Sequence, residues 1–388
     1  MNCKMIPRYY KFLLVATGIC AVYPIGNVIN FFSIIALCCL ILSIYLGSFE
    51  LSSELKHYIQ AVFVWAVGCI FVSLTSDAVG VGVHTCYEWF IKWFGLMLLP
   101  FIFKQSKNVL KLCLVLDFGI VAVLSLLIAY RGMFLHEQRV GGYFTSGPMV
   151  LGVFLGLFIP ILVICFFDKR IFGRWSYLPG IVALLTTVAL LYNNTRGAEI
   201  GALICLIIVG FIYCCKSKKN LLIFALVATL LCGFIYFNPA TRARWGKKSD
   251  GRIIIWQTSW KMFKDHPLFG VGFHRFRYAY KEIYNGYQGR RTGNNVFFHA
   301  HNLFLNAMVE GGLVGLTSFV FFFVFALWYP YKLWRRYRDP YSLMMLMLTL
   351  QLFINGMVET VIVHDHIMRP YWFLMGVLLS LHLQCRNR

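Results

Sequence analysis

The residue types able to do chemistry in this chain gather in and around one polar interruption between apolar runs. Arg196 lies in N-N-T-R-G-A-E (193–199), Arg252 in S-D-G-R-I-I-I-W (249–256), and His301-Asn302 in H-A-H-N-L-F-L-N (299–306). Between 238 and 300 there are twelve Lys/Arg against Asp250, Asp265 and Glu282. Such a surplus points to an anionic ligand or to lipid headgroups, with His301 as the candidate catalyst beside it. Lys261 and Arg275 are further cations of the same stretch that could face that anion. Each residue also has a plainer reading. Arg196 can be an interfacial anchor or an i,i+3 partner of Glu199. Arg252 can be a headgroup contact, and His301 a hydrogen-bonded residue at a helix mouth. Gly311 and Gly315, just beyond, have the small-xxx-small spacing of closely packed membrane helices.

Lys92, four residues after Glu88, lies inside an apolar run, where an ionisable side chain is a functional candidate by default; an internal Glu88–Lys92 ion pair explains it equally well. The sequence gives no reason to expect a metal. No D-x-D or E-x-D occurs, and H-D-H (364–366) alone is weak. The thirteen cysteines show no C-x-x-C pair and sit mostly in apolar runs, as small apolar residues.

The elements that must position these residues are membrane helices. The chain is 60% hydrophobic and 13% charged over 388 residues, whereas soluble domains carry roughly 25% charged residues. Apolar runs long enough to span a bilayer recur near 10–24, 28–46, 58–75, 84–103, 109–130, 147–167, 175–192, 197–215, 220–237, 303–329, 341–363 and 370–384. The expected fold is therefore an all-α polytopic membrane protein with about twelve spans. It comprises spans over 1–237, a long loop over 238–300, and three further spans over 301–388. With both termini inside, nineteen Lys/Arg fall in cytoplasmic connections against four in the opposite short loops. The positive-inside rule thus puts the long loop outside, in a bacterium the periplasm, with the protein in the inner membrane. The same rule accounts for much of the net charge of +21, so nucleic acid is not implied. R-I-I-I-W-Q-T-S-W-K-M-F-K (252–264) places Ile253, Trp256, Trp260 and Phe263 at helical spacing, predicting an interfacial helix. Asp250 could cap it and His266-Pro267 end it. A second basic-aromatic helix is expected over 273–284.

T-R-G (195–197), G-R-x-x-x-W (251–256), P-L-F-G-V-G-F (267–273) and H-N-L-F-L-N-x-x-x-E-x-G-L-x-G-L (301–316) occur in that order between spans. In this they resemble the signature of the bacterial O-antigen ligase and polymerase superfamily. The resemblance implies a metal-independent, cofactor-free glycosyltransferase of the GT-C type. Its donor would be a glycan on undecaprenyl diphosphate and, for a ligase, its acceptor a sugar hydroxyl of lipid A–core oligosaccharide. Carried over by motif position, Arg196 and Arg252 would hold the donor diphosphate and His301 would be the essential histidine. Asn302 and Lys92 remain further candidates. Guanidinium forks suit charge building on a departing diphosphate. A histidine beside such cations would be held neutral and able to accept the acceptor's proton. The expected activity is O-antigen ligation with inversion at the anomeric carbon. The same motifs leave open an O-antigen polymerase acting on lipid-linked repeats. A flippase or transporter would carry more ionisable residues at mid-membrane than this chain shows.

Overall fold

A computed structural model of the chain describes residues 14–19, 51–102, 106–137, 139–141, 147–214, 222, 229, 250–282 and 298–386. All regular structure among them is helical. Among the described residues, six stretches are long and apolar enough to cross a membrane: Ser53–Leu74, Lys107–Phe134, Pro148–Phe167, Lys169–Asn193, Arg196–Cys214 and Leu303–Tyr337. This fits the polytopic membrane protein expected from composition. The spans expected at 28–46 and 220–237, apart from residues 222 and 229, and most of the span at 10–24 lie outside the described residues.

The helices that build the site region are α1 (Ser53–Leu74), α2 (Val79–Cys86), α3 (Phe94–Ile102), α4 (Lys107–Phe134), α5 (Pro148–Phe167), α6 (Tyr177–Asn193), α7 (Arg196–Cys214), α8 (Asp250–Asp265), α9 (Phe276–Glu282), α10 (Leu303–Tyr337), α11 (Pro340–Gly356) and α12 (Asp365–Arg386). At the centre stands α5, which begins with Pro148 in the first turn and has no charged or amide residue along its length. A helix that is apolar all round must be buried, and α6, α7 and α11 enclose it. The other long buried helix is α12, covered from Ile367 to His382. Outer helices turn large apolar side chains outward instead, among them Phe63, Leu126, Phe211 and Val324, as a lipid-facing surface requires.

Three spans differ from the sequence expectation, each for a local reason. The span expected at 84–103 is broken into α2, a π-helical segment Tyr87–Trp93, and α3. Lys92 and Glu88 form an i,i+4 ion pair of 3.2 Å within the π segment, so the plainer reading of Lys92 is the one its geometry supports. Instead of running over 341–363, span eleven stops at Gly356, and residues 357–364 form a turn and one 3-10 turn before α12 starts at Asp365. Finally, the helix α10 reaches Tyr337 and is interrupted at Gly312, whose φ of 59° and ψ of −152° are not helical.

That interruption receives the motif at 267–272. Backbone N–H groups of Val271 and Gly272 donate to the Val309 and Glu310 carbonyls at 2.9 and 3.1 Å. In return, Leu313 and Val314 donate to the Pro267 and Leu268 carbonyls at 2.9 and 3.2 Å. A Cβ at Gly312 would collide with the Leu268 carbonyl, and one at Gly270 with the Val309 oxygen. Both glycines also have positive φ, so no other residue fits without strain. Spacing suggested that Gly311 and Gly315 serve helix packing. A Cβ at either would lie at an ordinary 3.9 Å from Val72 of α1; the geometry makes its strict demand at Gly312.

Candidate active site

The corner around His301 is built by the helix that starts directly after it. Asn302 caps α10, its Oδ1 accepting from the Phe304 and Leu305 N–H groups at 3.0 Å each. Its Nδ2 donates to the Met357 carbonyl at 2.9 Å. One side chain therefore starts α10 and clips it to the turn after α11. Two residues beyond Met357 that turn presents Glu359. His301 Nδ1 lies 2.9 Å from both Glu359 oxygens, and His299 Nε2 lies 2.7 Å from Oε1. The two imidazole centroids are 4.5 Å apart, and His364 stands edge-on to His299 at 5.6 Å. His301 itself has φ of +49°, a left-handed conformation that costs a non-glycine residue of order 1 kcal/mol or more. Its side chain keeps 26% of its surface exposed, whereas that of Glu359 keeps 6%.

Helix α8, which carries Arg252, packs through Trp256 against the segment that precedes His301. The helix runs Asp250–Asp265 and stops before Pro267, as expected. Its apolar stripe is divided rather than shared. Ile253 (56% exposed) and Trp260 (49%) face outward, whereas Ile255 and Met262 bury against Phe276, Tyr280 and Val309. Trp256 turns to the protein and donates Nε1–H to the Ala300 carbonyl at 3.1 Å. Arg252 lies one turn earlier on the same helix and is half-buried. The second helix begins at Phe276, three residues later than expected, and α9 is described over Phe276–Glu282; residues 283–297 are outside the described residues. Glu310 holds α9 in place, accepting from the Phe276 N–H at 3.2 Å and from Asn306 Nδ2 at 3.0 Å. Arg275 stacks over Tyr278 at 5.0 Å. Lys261 is exposed on α8.

Arg196 arrives from the other side. Asn193 Nδ2 donates to the Val140 and Pro148 carbonyls at 2.8 Å each, and Thr195 Oγ1 to Asn193 Oδ1 at 2.5 Å. Asn194 takes φ of +59° and ends α6. This turn sets Arg196 in the first turn of α7, where a cation opposes the helix dipole. A Cβ at Gly197 would meet Val358 Cγ2 at 2.7 Å and Asn355 Oδ1 at 3.4 Å. Gln351 Nε2 donates to the Ala198 carbonyl at 3.1 Å. The start of α7 thus packs on the turn that carries Glu359. Lys92 is tied to a neighbouring charge cluster: Glu88 lies near Arg369, which pairs with Asp365 at 2.7 Å.

Electrostatics make the Glu359 carboxyl an anion. Burial pushes its pKa up, but the hydrogen bonds from His299 and His301 outweigh that and hold it well below the usual carboxylate range. Burial, then His299, lowers His364 to about 4, so it is neutral near pH 7. His301 thus meets a carboxylate, where the sequence led to the expectation of cations. His299, His301 and Glu359 bring ligand atoms within 4.8 Å of one another, a grouping that could hold a metal. Their N···O separations of 2.7 and 2.9 Å are hydrogen-bond lengths, shorter than the roughly 3.3 Å edge of a tetrahedron with ~2.05 Å bonds to zinc.

Sequence reasoning selected His301, Asn302, Arg196 and Arg252, and it missed Glu359, His299 and Glu310. The signal for Glu359 was present, since it is the one carboxylate in the run expected to span 341–363, and acid in a span asks for a partner.

Residues 181–320 match the family described as O-Antigen ligase. That stretch contains Arg196, Arg252, His301 and Gly312, while Glu359 falls beyond it. The exopolysaccharide production protein ExoQ of Rhizobium meliloti (strain 1021) is 26% identical over 235 residues, 57% of this chain and 53% of that protein. The ComP-specific O-oligosaccharyltransferase of Acinetobacter baylyi (strain ATCC 33305 / BD413 / ADP1) is 22% identical over 361 residues, 85% of this chain and 63% of that protein. The chain therefore spans between about half and just under two thirds of these relatives' lengths. The ordered motifs and the match over 181–320 make this stretch of the chain similar to the family described as O-Antigen ligase.

Proposed function

We propose that the protein is an O-antigen ligase of the bacterial inner membrane. It transfers a preassembled glycan from undecaprenyl diphosphate to a sugar hydroxyl of lipid A–core oligosaccharide, on the periplasmic face and with inversion at the anomeric carbon. One observation carries the reading: the start of α7, just after Arg196, lies close against Val358 in the turn that carries Glu359, and Trp256, one turn after Arg252 on α8, donates to the carbonyl of Ala300, the residue before His301. Guanidinium groups from separate elements, acting with a partly exposed histidine, would suit a departing diphosphate opposite an attacking hydroxyl. The amide groups at the start of α7 add positive potential where Arg196 sits, so an anion there relieves the opposition between arginine and helix dipole.

In this reading the acceptor oxygen attacks the anomeric carbon as its proton passes to His301. The anomeric carbon–phosphate oxygen bond breaks, and its electron pair leaves on undecaprenyl diphosphate, whose charge Arg196 and Arg252 offset. Outward-facing Ile253 and Trp260 suit a helix resting at headgroup depth, where a polyprenyl donor would enter.

The test is a lipopolysaccharide gel of a strain lacking the gene, paired with analysis of its lipid-linked glycans. Loss of the long-chain ladder with polymerised glycan accumulating on undecaprenyl diphosphate is the expected result. A core carrying a single repeat and no ladder would make it a polymerase instead. A second acceptor class is favoured by one observation, the likeness over 85% of the chain to a protein named as an O-oligosaccharyltransferase. An intact ladder with a missing glycoprotein would establish that reading.

A further inference from the structure

The reading of His301 as the group that takes the acceptor's proton leaves one question, which of its nitrogens does so. We propose that Glu359 is the positioning residue of the reaction, holding His301 as the Nδ1–H tautomer so that Nε2 receives the acceptor hydroxyl's proton. The inference rests on the site being a glycan transferase. Its support is geometric. His301 Nδ1 is equidistant, at 2.9 Å, from both oxygens of Glu359. A carboxylate can only accept, so Nδ1 is the donor and the lone pair is left on Nε2. The carboxylate cannot turn away, because it is pinned from behind. His299 Nε2 donates to Oε1 at 2.7 Å, and the Thr360 N–H donates to the same oxygen at 3.1 Å. The backbone that carries His301 is set by its left-handed conformation and by the cap that the next residue, Asn302, supplies.

The arrangement has a chemical consequence. When Nε2 gains the proton, the imidazolium positive charge appears 2.9 Å from a buried anion. The charge is stabilised where it develops, without rearrangement, while the two guanidinium groups are occupied with the departing diphosphate. Without Glu359 the neutral ring would be free to put its proton on Nε2, where it would face the acceptor hydroxyl as a donor and fail as a base. His299 holds the other tautomer, with its proton on Nε2, so it fastens the carboxylate and does not compete for the substrate.

The experiment compares full-length wild-type protein with Glu359→Gln and Glu359→Asp in detergent, reading two properties of each. The first is steady-state transfer from an undecaprenyl-diphosphate glycan to lipid A–core. The second is the 15N spectrum of histidine-labelled protein, with His301 assigned through His301→Gln. The expected result is an Nδ1–H tautomer for His301 in the wild type, mixed or reversed in Glu359→Gln. The accompanying kcat should fall by about 10³-fold with the donor KM unchanged, and Glu359→Asp should restore part of it. An Nε2–H tautomer in the wild type overturns the proposal whatever the activity. So does a Glu359→Gln enzyme with unaltered kcat, or an activity lost on chelation and restored by zinc. If the tautomer is as expected and no glycan is transferred, the reading of function fails while the positioning of His301 stands.

Discussion

His301 meets Glu359 through Nδ1 at 2.9 Å, and His382 meets Asp339 through Nδ1 at 2.9 Å. The pairs sit at opposite ends of α10, Asn302 and His301 just before Leu303 and Asp339 just after Tyr337. Their surroundings differ. His382 is 1% exposed, and Asp339 also accepts from the Tyr341 and Ser342 N–H groups and the Ser342 hydroxyl, capping α11. That pair is sealed and fully spent on holding a helix start. At the other end the cap is supplied by Asn302, so Glu359 is left for two histidines, and one of them reaches the surface. A histidine–carboxylate contact is therefore no mark of catalysis by itself; what separates these two is which residue does the capping.

The largest expected contrast comes from removing each histidine. His301→Ala should reduce transfer by about 10³-fold or more with thermal unfolding little changed. His382→Ala should leave kcat per folded molecule intact while lowering the unfolding temperature, since the buried Asp339 carboxylate would lose one of its hydrogen-bond partners and leave a cavity, together about 2 kcal/mol. If His382→Ala abolished transfer in folded protein, the contrast would be broken. Next in size is Arg252→Lys, which keeps the charge but loses the fork: about 100-fold in kcat is expected, whereas Arg275→Lys should be within a few fold. Gly312→Ala comes third, destabilising by about 2 kcal/mol through positive φ and the Leu268 carbonyl, read as a lower unfolding temperature and protease sensitivity at 267–272. Smallest is a pH effect. His364 is held near 4 against an ordinary 6.5, so the stability it contributes as a neutral ring is complete above about 6.5 and lost as pH falls towards 4. His364→Gln should flatten the unfolding temperature against pH within that window.

Much of this was legible in the sequence, for reasons that also explain what was not. Apolar runs report burial or lipid contact directly, so the expected spans at 109–130, 147–167 and 197–215 fall within a few residues of α4, α5 and α7. The same signal failed at Glu359, because V-I-V (361–363) is apolar enough to extend a span across a turn. Hydropathy does not record that Asn302 reaches across to the Met357 carbonyl and ends it. Gly311 and Gly315 were visible as a spacing, but the break belongs to Gly312, whose need for positive φ comes from a segment some forty residues earlier. Arg196, Arg252 and His301 were read as lying on one side of the membrane. The contacts that bring their elements to one corner, Gly197 on Val358 and Trp256 on Ala300, involve no residue with a chemical role of its own.

The central claim is that His301 takes the proton in a glycan transfer whose departing diphosphate is held by Arg196 and Arg252. Purified protein in detergent, given an undecaprenyl-diphosphate glycan and lipid A–core with no nucleotide sugar, tests it most directly. The account predicts glycosylated lipid A–core and undecaprenyl diphosphate released in equal amounts by the wild type, and neither by His301→Ala. Equal turnover by His301→Ala, or no turnover by folded wild-type protein, would contradict it.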